Sequence, residues 1–219
     1  MKKVTLLISL FMINLVVFAQ QPLELSFSAG PSLNWMSSGE NEVAKGNSHA
    51  GFDFGLIVDR FFDEQLRYAL TTGLLLTSTG GELDYHNSSS FSFAGETIGP
   101  GSSIRYRLQY LEVPCAIKLR TSQFRRWTYW GQFGLSGFVN IRAKGDSSDG
   151  TLDKTNINDE VRLFNLALNL GAGANFDLGS GNALAMGIIY KNGFLDVTKD
   201  RMSGRTTVNS LMLKLGLIF

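Results

Sequence analysis

From Leu211 to Phe219 the chain changes character at every residue, and few folds tolerate that pattern. Leu211, Leu213, Leu215, Leu217 and Phe219 share one face, and Met212, Lys214, Gly216 and Ile218 share the other. A strand places successive side chains on opposite faces, so Lys214 points away from four leucines. In a soluble core covered on both sides, a charge there would be heavily penalised. On a wall with lipid outside and a lumen inside, it simply points inward.

The same alternation recurs along the chain. In 161–178, Phe164, Leu166, Leu168 and Leu170 oppose Asn165, Ala167 and Asn169. In 105–120, Leu111, Val113, Cys115, Ile117 and Leu119 oppose Tyr110, Glu112, Pro114, Ala116, Lys118 and Arg120. In 50–60, Phe52, Phe54, Leu56 and Val58 oppose Gly51, Asp53, Gly55 and Asp59. The segments 23–35, 66–78, 127–142 and 183–193 alternate less cleanly. With the last segment they predict an all-β fold, an eight-stranded antiparallel up-and-down transmembrane β-barrel.

Connection lengths follow a rhythm: long (36–49), short (62–65), long (79–103), short (121–125), long (143–160), short (179–182), long (194–204). Outer-membrane barrels place short turns in the periplasm and longer loops outside, and this order obeys that rule. Gly179-Ser180-Gly181-Asn182 supplies residues that tolerate the positive φ of a tight turn. Trp35, Phe61, Tyr68, Trp127, Tyr129, Phe176 and Tyr190 fall near strand ends, where aromatic girdles are expected.

The N-terminus gives the address. Met1-Lys2-Lys3 is a basic n-region, Val4 to Phe18 is almost wholly apolar, and Val17-Phe18-Ala19 offers a cleavage site. The expected organisation is a signal peptide over 1–19 and one barrel domain over 20–219, exported to the outer membrane of a Gram-negative bacterium. Removing Lys2 and Lys3 with that peptide leaves 18 basic and 19 acidic residues, a net −1. No basic stripe for nucleic acid exists, so nucleic acid is not an expected partner. A single cysteine, Cys115, excludes an internal disulfide or multi-Cys metal site, and on the lipid register it reads as a small hydrophobe.

Tyr110-Leu111-Glu112-Val113-Pro114, continuing to Lys118, resembles the Y-L-E-[IV]-P-x-x-x-K motif of PorT-like outer-membrane β-barrel proteins, widespread in Bacteroidota. The preceding run Leu74 to Gly81 is similar to that family's hairpin partner, with Leu76 and Thr79 departing from its aromatic and Lys. The resemblance implies an outer-membrane barrel, and its namesake members assist a protein-secretion and gliding machinery. Pro114 lacks a ladder donor, so a bulge or bend beside Glu112 is expected. Phe219, on the leucine face, resembles the final aromatic that the barrel-assembly machinery reads on a last strand.

An eight-stranded barrel is only wide enough for its side chains to fill. The inward polar set is Asp53, Asp59, Glu112, Lys118, Arg120, Asn165, Asn169 and Lys214, with Gln132, Asn140 and Asn175. Both signs are present, which suits a salt-bridged plug; the same groups could instead line a narrow ion or proton path. Asp84, His86 and Ser88 are the residue types of a loop-face hydrolase, but adjacency in a polar loop does not orient a base. Asp146, Asp149, Asp153 and Asp159 do not match the calcium-loop spacing, because Gly150 is displaced. No catalytic residue, cofactor or metal is therefore assigned. Expected partners are outer-membrane lipid and the barrel-assembly machinery, with a protein or glycan partner through loops 36–49, 79–103, 143–160 and 194–204. In 79–103, Tyr85, Phe91, Phe93 and Ile98 either present an exposed contact surface or fold over the barrel as a cap.

Overall fold

The computed structural model describes residues 22–39, 43–86, 90–199 and 204–219. The signal-peptide expectation and Ser88 lie outside them. Eight long strands run in sequence: β1 (Leu23–Ser38), β2 (His49–Phe61), β3 (Tyr68–Tyr85), β4 (Ser103–Arg120), β5 (Trp127–Ser147), β6 (Phe164–Gly179), β7 (Asn182–Gly193) and β8 (Thr206–Ile218). Each pairs antiparallel with the next, and β8 returns to β1, from Ser26 opposite Ile218 to Ser38 opposite Thr206. The sheet is closed, so no edge is left with unsatisfied backbone groups. The expected eight-stranded up-and-down barrel is the observed fold.

Side-chain direction follows the alternation closely. Leu213 and Leu215 are each 48% exposed on the outer wall, while Lys214 between them is 4% exposed. Phe52, Phe54, Leu56, Val113, Leu119, Phe133, Leu168 and Ile188 continue the outer apolar band. Cys115 is exposed on the same surface. Such a band is stable only against an apolar solvent. Among the described residues no helix is long and apolar enough to cross a membrane; the strands carry the apolar surface.

Two strands run well past their expected ends. β3 continues to Tyr85 and β5 to Ser147, so 79–85 and 143–147 are strand, not loop. The cause is a reversal of polarity along the strand. On β4, Leu111 and Val113 face outward and Glu112 and Lys118 inward; above them Ile104, Tyr106, Leu108 and Tyr110 face inward and Arg105, Arg107 and Gln109 outward. Below the switch the surroundings are apolar and the interior polar. Above it water surrounds a dry interior. On β5 the switch coincides with a bulge, since Gln109 pairs with Arg142 and Tyr110 with Asn140, leaving Ile141 as the extra residue.

That bulge is not where Pro114 predicts one. Thr72 pairs with Cys115 and Leu75 with Glu112, in one register on both sides of the proline. Two pairs drop out of the ladder there and no residue is inserted. Pro114 keeps its pairing with Ser136 on the other side. Its missing N–H is thus absorbed without an inserted residue.

Two girdle pairs form at opposite ends of the barrel. Trp35 stacks on Tyr190 at 6.3 Å, and Trp127 packs on Phe176 at 4.9 Å. Phe61 does not belong to a girdle. It shares the inward face with Asp59 and is buried in the floor of the lumen. The tight turn after β6 has positive φ at Gly179, Ser180 and Gly181, as its composition requires.

Candidate functional site: the filled lumen and its cap

The interior is built in three storeys. The lowest, nearest the short turns, holds Glu24, Asp59, Lys118, Arg120 and Lys214. Asp59 accepts from Lys118 Nζ and from Thr71 Oγ1 at 2.5 Å, and Arg120 lies 3.9 Å away. Arg120 also forms an ion pair with Glu24 and places its guanidinium 4.7 Å from the Phe61 ring. Among the described residues no carboxylate is within ion-pair distance of Lys214; its Nζ sits 5.2 Å from the Trp130 ring, with Lys118 Nζ at 5.5 Å.

Neighbouring strands explain how one ring reaches both lysines. Trp130, Gly173, Gly187 and Lys214 are consecutive partners across β5, β6, β7 and β8. A Cβ added at either glycine would come within 2.5 Å of Trp130 Cζ2. The two glycines thus provide the floor on which the indole lies. A cation over a Trp face is worth about 0.5–2 kcal/mol, more when desolvated.

The middle storey centres on Lys191. Its Nζ donates to Asp53 at 2.9 Å and to Glu112 at 2.5 Å, and Thr77 Oγ1 donates to Glu112 at 2.8 Å. Gln132 Nε2 donates to Asn169 Oδ1 at 2.9 Å, and Asn169 Nδ2 to Ser136 at 3.0 Å. Over the two storeys four acids (Glu24, Asp53, Asp59, Glu112) face four bases (Lys118, Arg120, Lys191, Lys214). Sequestered charges persist only when so balanced, because an isolated one would cost several kcal/mol.

Above Lys191 the lumen turns apolar. Tyr110 meets Phe138 edge-on at 5.8 Å, and a buried cluster continues through Leu108, Tyr106, Ile104 and Leu83 into the loops. The loop hairpin Phe91–Phe93 with Glu96–Ile98 folds inward. Phe91 stacks on Tyr85 at 4.9 Å, Phe93 meets Tyr106 edge-on at 6.0 Å, and the two tyrosine hydroxyls lie 3.1 Å apart. Leu152, Ile157, Val161 and Val197 close the cluster from the other loops. Of the two readings of the 79–103 aromatics, the cap is the one observed: Tyr85, Phe91, Phe93 and Ile98 are all buried.

The cap is also tied laterally. The Gly99 N–H donates to Asp149 Oδ2 at 2.9 Å, and Ser147 Oγ and the Thr151 N–H donate to Oδ1. These donors, Gly99 first, hold the Asp149 carboxyl well below the usual carboxylate range. A depressed carboxyl contributes fully above its unfolded pKa, near 4, and loses that contribution progressively as pH falls from there to the depressed value. The tie therefore keeps its full contribution down to about pH 4.

All eight sequence-selected lumen residues lie inside the barrel. Asp59, Lys118, Arg120 and Lys214 are gathered in one storey and Asp53 and Glu112 in the next, while Asn169 sits in the amide chain. Asn165 does not join them; its Oδ1 accepts from the Leu166 N–H. Lys191, Glu24 and Trp130 were missed. Lys191 could have been found by counting inward from Ala185, Gly187 and Ile189, but Ile189 and Tyr190 blur that alternation. The motif residues Tyr110, Glu112 and Lys118 all belong to the lumen packing.

Elsewhere the chemistry is sparse. His86 is exposed and Asp84 half-buried. His49 begins β2, beside Arg105 and Arg107. Asp146 pairs with Arg107 at 2.8 Å. Among the described residues no group of three or more His, Cys, Asp or Glu is placed to hold a metal ion.

A closed barrel with an apolar outer band, polar lower lumen and short turns at one end defines the outer-membrane barrel class. Residues 18–199 match the model of the outer membrane protein beta-barrel domain, and the chain belongs to that family. Neisserial surface protein A is similar at 14% identity, over 89% of this chain and 95% of that one, with a TM-score of 0.49. OprG from Pseudomonas aeruginosa is 10% identical over 91% and 97%, with a TM-score of 0.42. The outer membrane protease OmpT from Escherichia coli is 8% identical over 90% and 96%, also at 0.42. No curated protein matches the chain by sequence. None of these likenesses carries an activity over.

Proposed function

We propose that this chain is a non-enzymatic barrel of a Gram-negative outer membrane, exported by its 1–19 signal peptide, sealed to solutes and acting as a rigid scaffold for its loop face. The filled lumen carries this reading. Two storeys of charge, paired except for Lys214, are topped by a dry aromatic cap, and two small voids among them, about 20 Å³ each, have room for about one water apiece. A path for ions would need continuous water, and every lumen charge but Lys214 is held in an ion pair. Purified protein in planar bilayers is expected to give no steady single-channel current. Reproducible unitary currents would overturn the sealed reading in favour of a narrow channel.

The resemblance of Tyr110 to Lys118 to PorT-like proteins of Bacteroidota supports a finer reading, an accessory of protein secretion working through a protein partner at the loops. Affinity capture from native membranes, with the tag on an exposed loop, is expected to retain a defined partner. Recovery of the barrel alone would remove the secretion role and leave the scaffold.

A further inference from the structure

One concentration of charge lies outside the lumen. On the wall made by β3, β4 and β5, the outward row Ser78, Gln109 and Arg142 follows directly on the apolar residues Leu76 and Leu111. The next row is Gly80, Arg107 and Lys144, and the one above it Glu82, Arg105 and Asp146. Rows two residues apart are separated by about 7 Å along a strand. Arg142 and Lys144 therefore stand within the headgroup layer that borders the hydrocarbon. Glu82 pairs with Arg105 at 3.0 Å and Asp146 with Arg107 at 2.8 Å. Among the described residues no carboxylate lies within ion-pair distance of Arg142, Lys144 or Lys154.

Those three cations, with Arg107, Gln109 and His49, line a single open groove of about 280 Å³. The opposite wall at the same height is mostly uncharged: Trp35 stacks on Tyr190 under the single cation Lys45, whose Nζ is 5.2 Å from the Trp35 ring, and Asn192 Nδ2 donates to Tyr190 and Asn209. A general need for solubility would spread charge around the rim. Here three cations without an ion-pair partner among the described residues converge on one side, at the depth of lipid phosphates, where Arg supplies a planar fork for phosphate oxygens and Lys a mobile point charge.

We propose that this groove binds the phosphate of an outer-leaflet glycolipid headgroup, with Arg142 and Lys144 engaging the phosphate and Lys154 closing over it. The proposal rests on the outer-membrane reading above. Binding of diphosphoryl lipid A to the full barrel in detergent micelles, measured by native mass spectrometry, tests it. The triple variant Arg142→Gln, Lys144→Gln, Lys154→Gln is expected to bind on the order of 100-fold more weakly. A matched variant at the short-turn end, Arg67→Gln, Arg125→Gln, Arg126→Gln, is expected to bind as the wild type does. Heat-modifiable gel mobility reports folding; should the triple variant not fold, Arg142→Gln and Lys144→Gln are each expected to weaken binding about fivefold. Equal binding by the folded groove variants, or equal binding of fully dephosphorylated lipid A, overturns the site. Displacement of the lipid by an equal concentration of inorganic phosphate overturns the glycolipid as its ligand. Flotation of the wild type with liposomes separates the two claims, because failure to float sinks the membrane reading itself.

Discussion

Replacing Lys191 with Met is expected to lower the unfolding free energy of the barrel by about 3–5 kcal/mol. The substitution leaves Asp53 and Glu112 facing each other in a lumen from which water is nearly excluded, with their shared cation gone. Most of that loss is the penalty on two stranded carboxylates and not the net worth of the pairs. Adding Asp53→Asn and Glu112→Gln to the same variant is therefore expected to recover most of it. Urea titration in detergent micelles, followed by tryptophan emission and gel mobility, measures both. By contrast, the loop pair Arg162–Asp196, with its Arg side chain 54% exposed, is expected to contribute about 1 kcal/mol or less. A Lys191→Met barrel within about 1 kcal/mol of wild type would show that the trio does not support the fold.

The second large effect concerns Trp130. Truncation to Ala is expected to cost about 3–5 kcal/mol, since the ring fills the space over Gly173 and Gly187 and faces both Lys118 and Lys214. Trp130→Phe keeps a ring face and is expected to lose less than half as much. The glycines supply a cross-check. Gly187→Val would drive a side chain into the indole, and overpacking of this kind costs about 1–3 kcal/mol. If part of that cost disappears in the Trp130→Ala background, leaving the share due to the Ala172 carbonyl 2.6 Å from the added Cβ, ring and glycine occupy one space; simple addition of the two losses would contradict the layered floor.

Much of this was legible in the chain, for a physical reason. Where lipid lies outside and charge inside, every residue must choose a side, so Leu211 to Phe219 and Leu111 to Leu119 announce both strand and orientation. The same logic hid the upper strands. Leu83 and Tyr85 on β3 and Ala143 on β5 turn their apolar side inward, so a search for lipid-facing residues reads 79–85 and 143–147 as loop. Phe61 shows the opposite error, an aromatic at a strand end taken for a girdle although its parity with Asp59 places it inside. Lys191 was obscured by an inward Ile189 and an outward Tyr190. The joining of Asp59 to Lys118, or of Lys191 to Asp53 across the lumen, could not be read at all, because inward parity does not say which strands lie opposite.

The apolar cap also restrains how the loop face can change over generations. Loops are the usual ground for rapid variation among related proteins. Here Phe91, Phe93, Ile98, Leu152, Ile157, Val161 and Val197 are anchored in a shared core. Drift at those positions would loosen the lid of the whole barrel. Diversity should therefore collect at solvent-facing sites such as Glu96, Thr97, Asp153 and Lys199, so that the molecule can alter its outward appearance while its profile stays fixed.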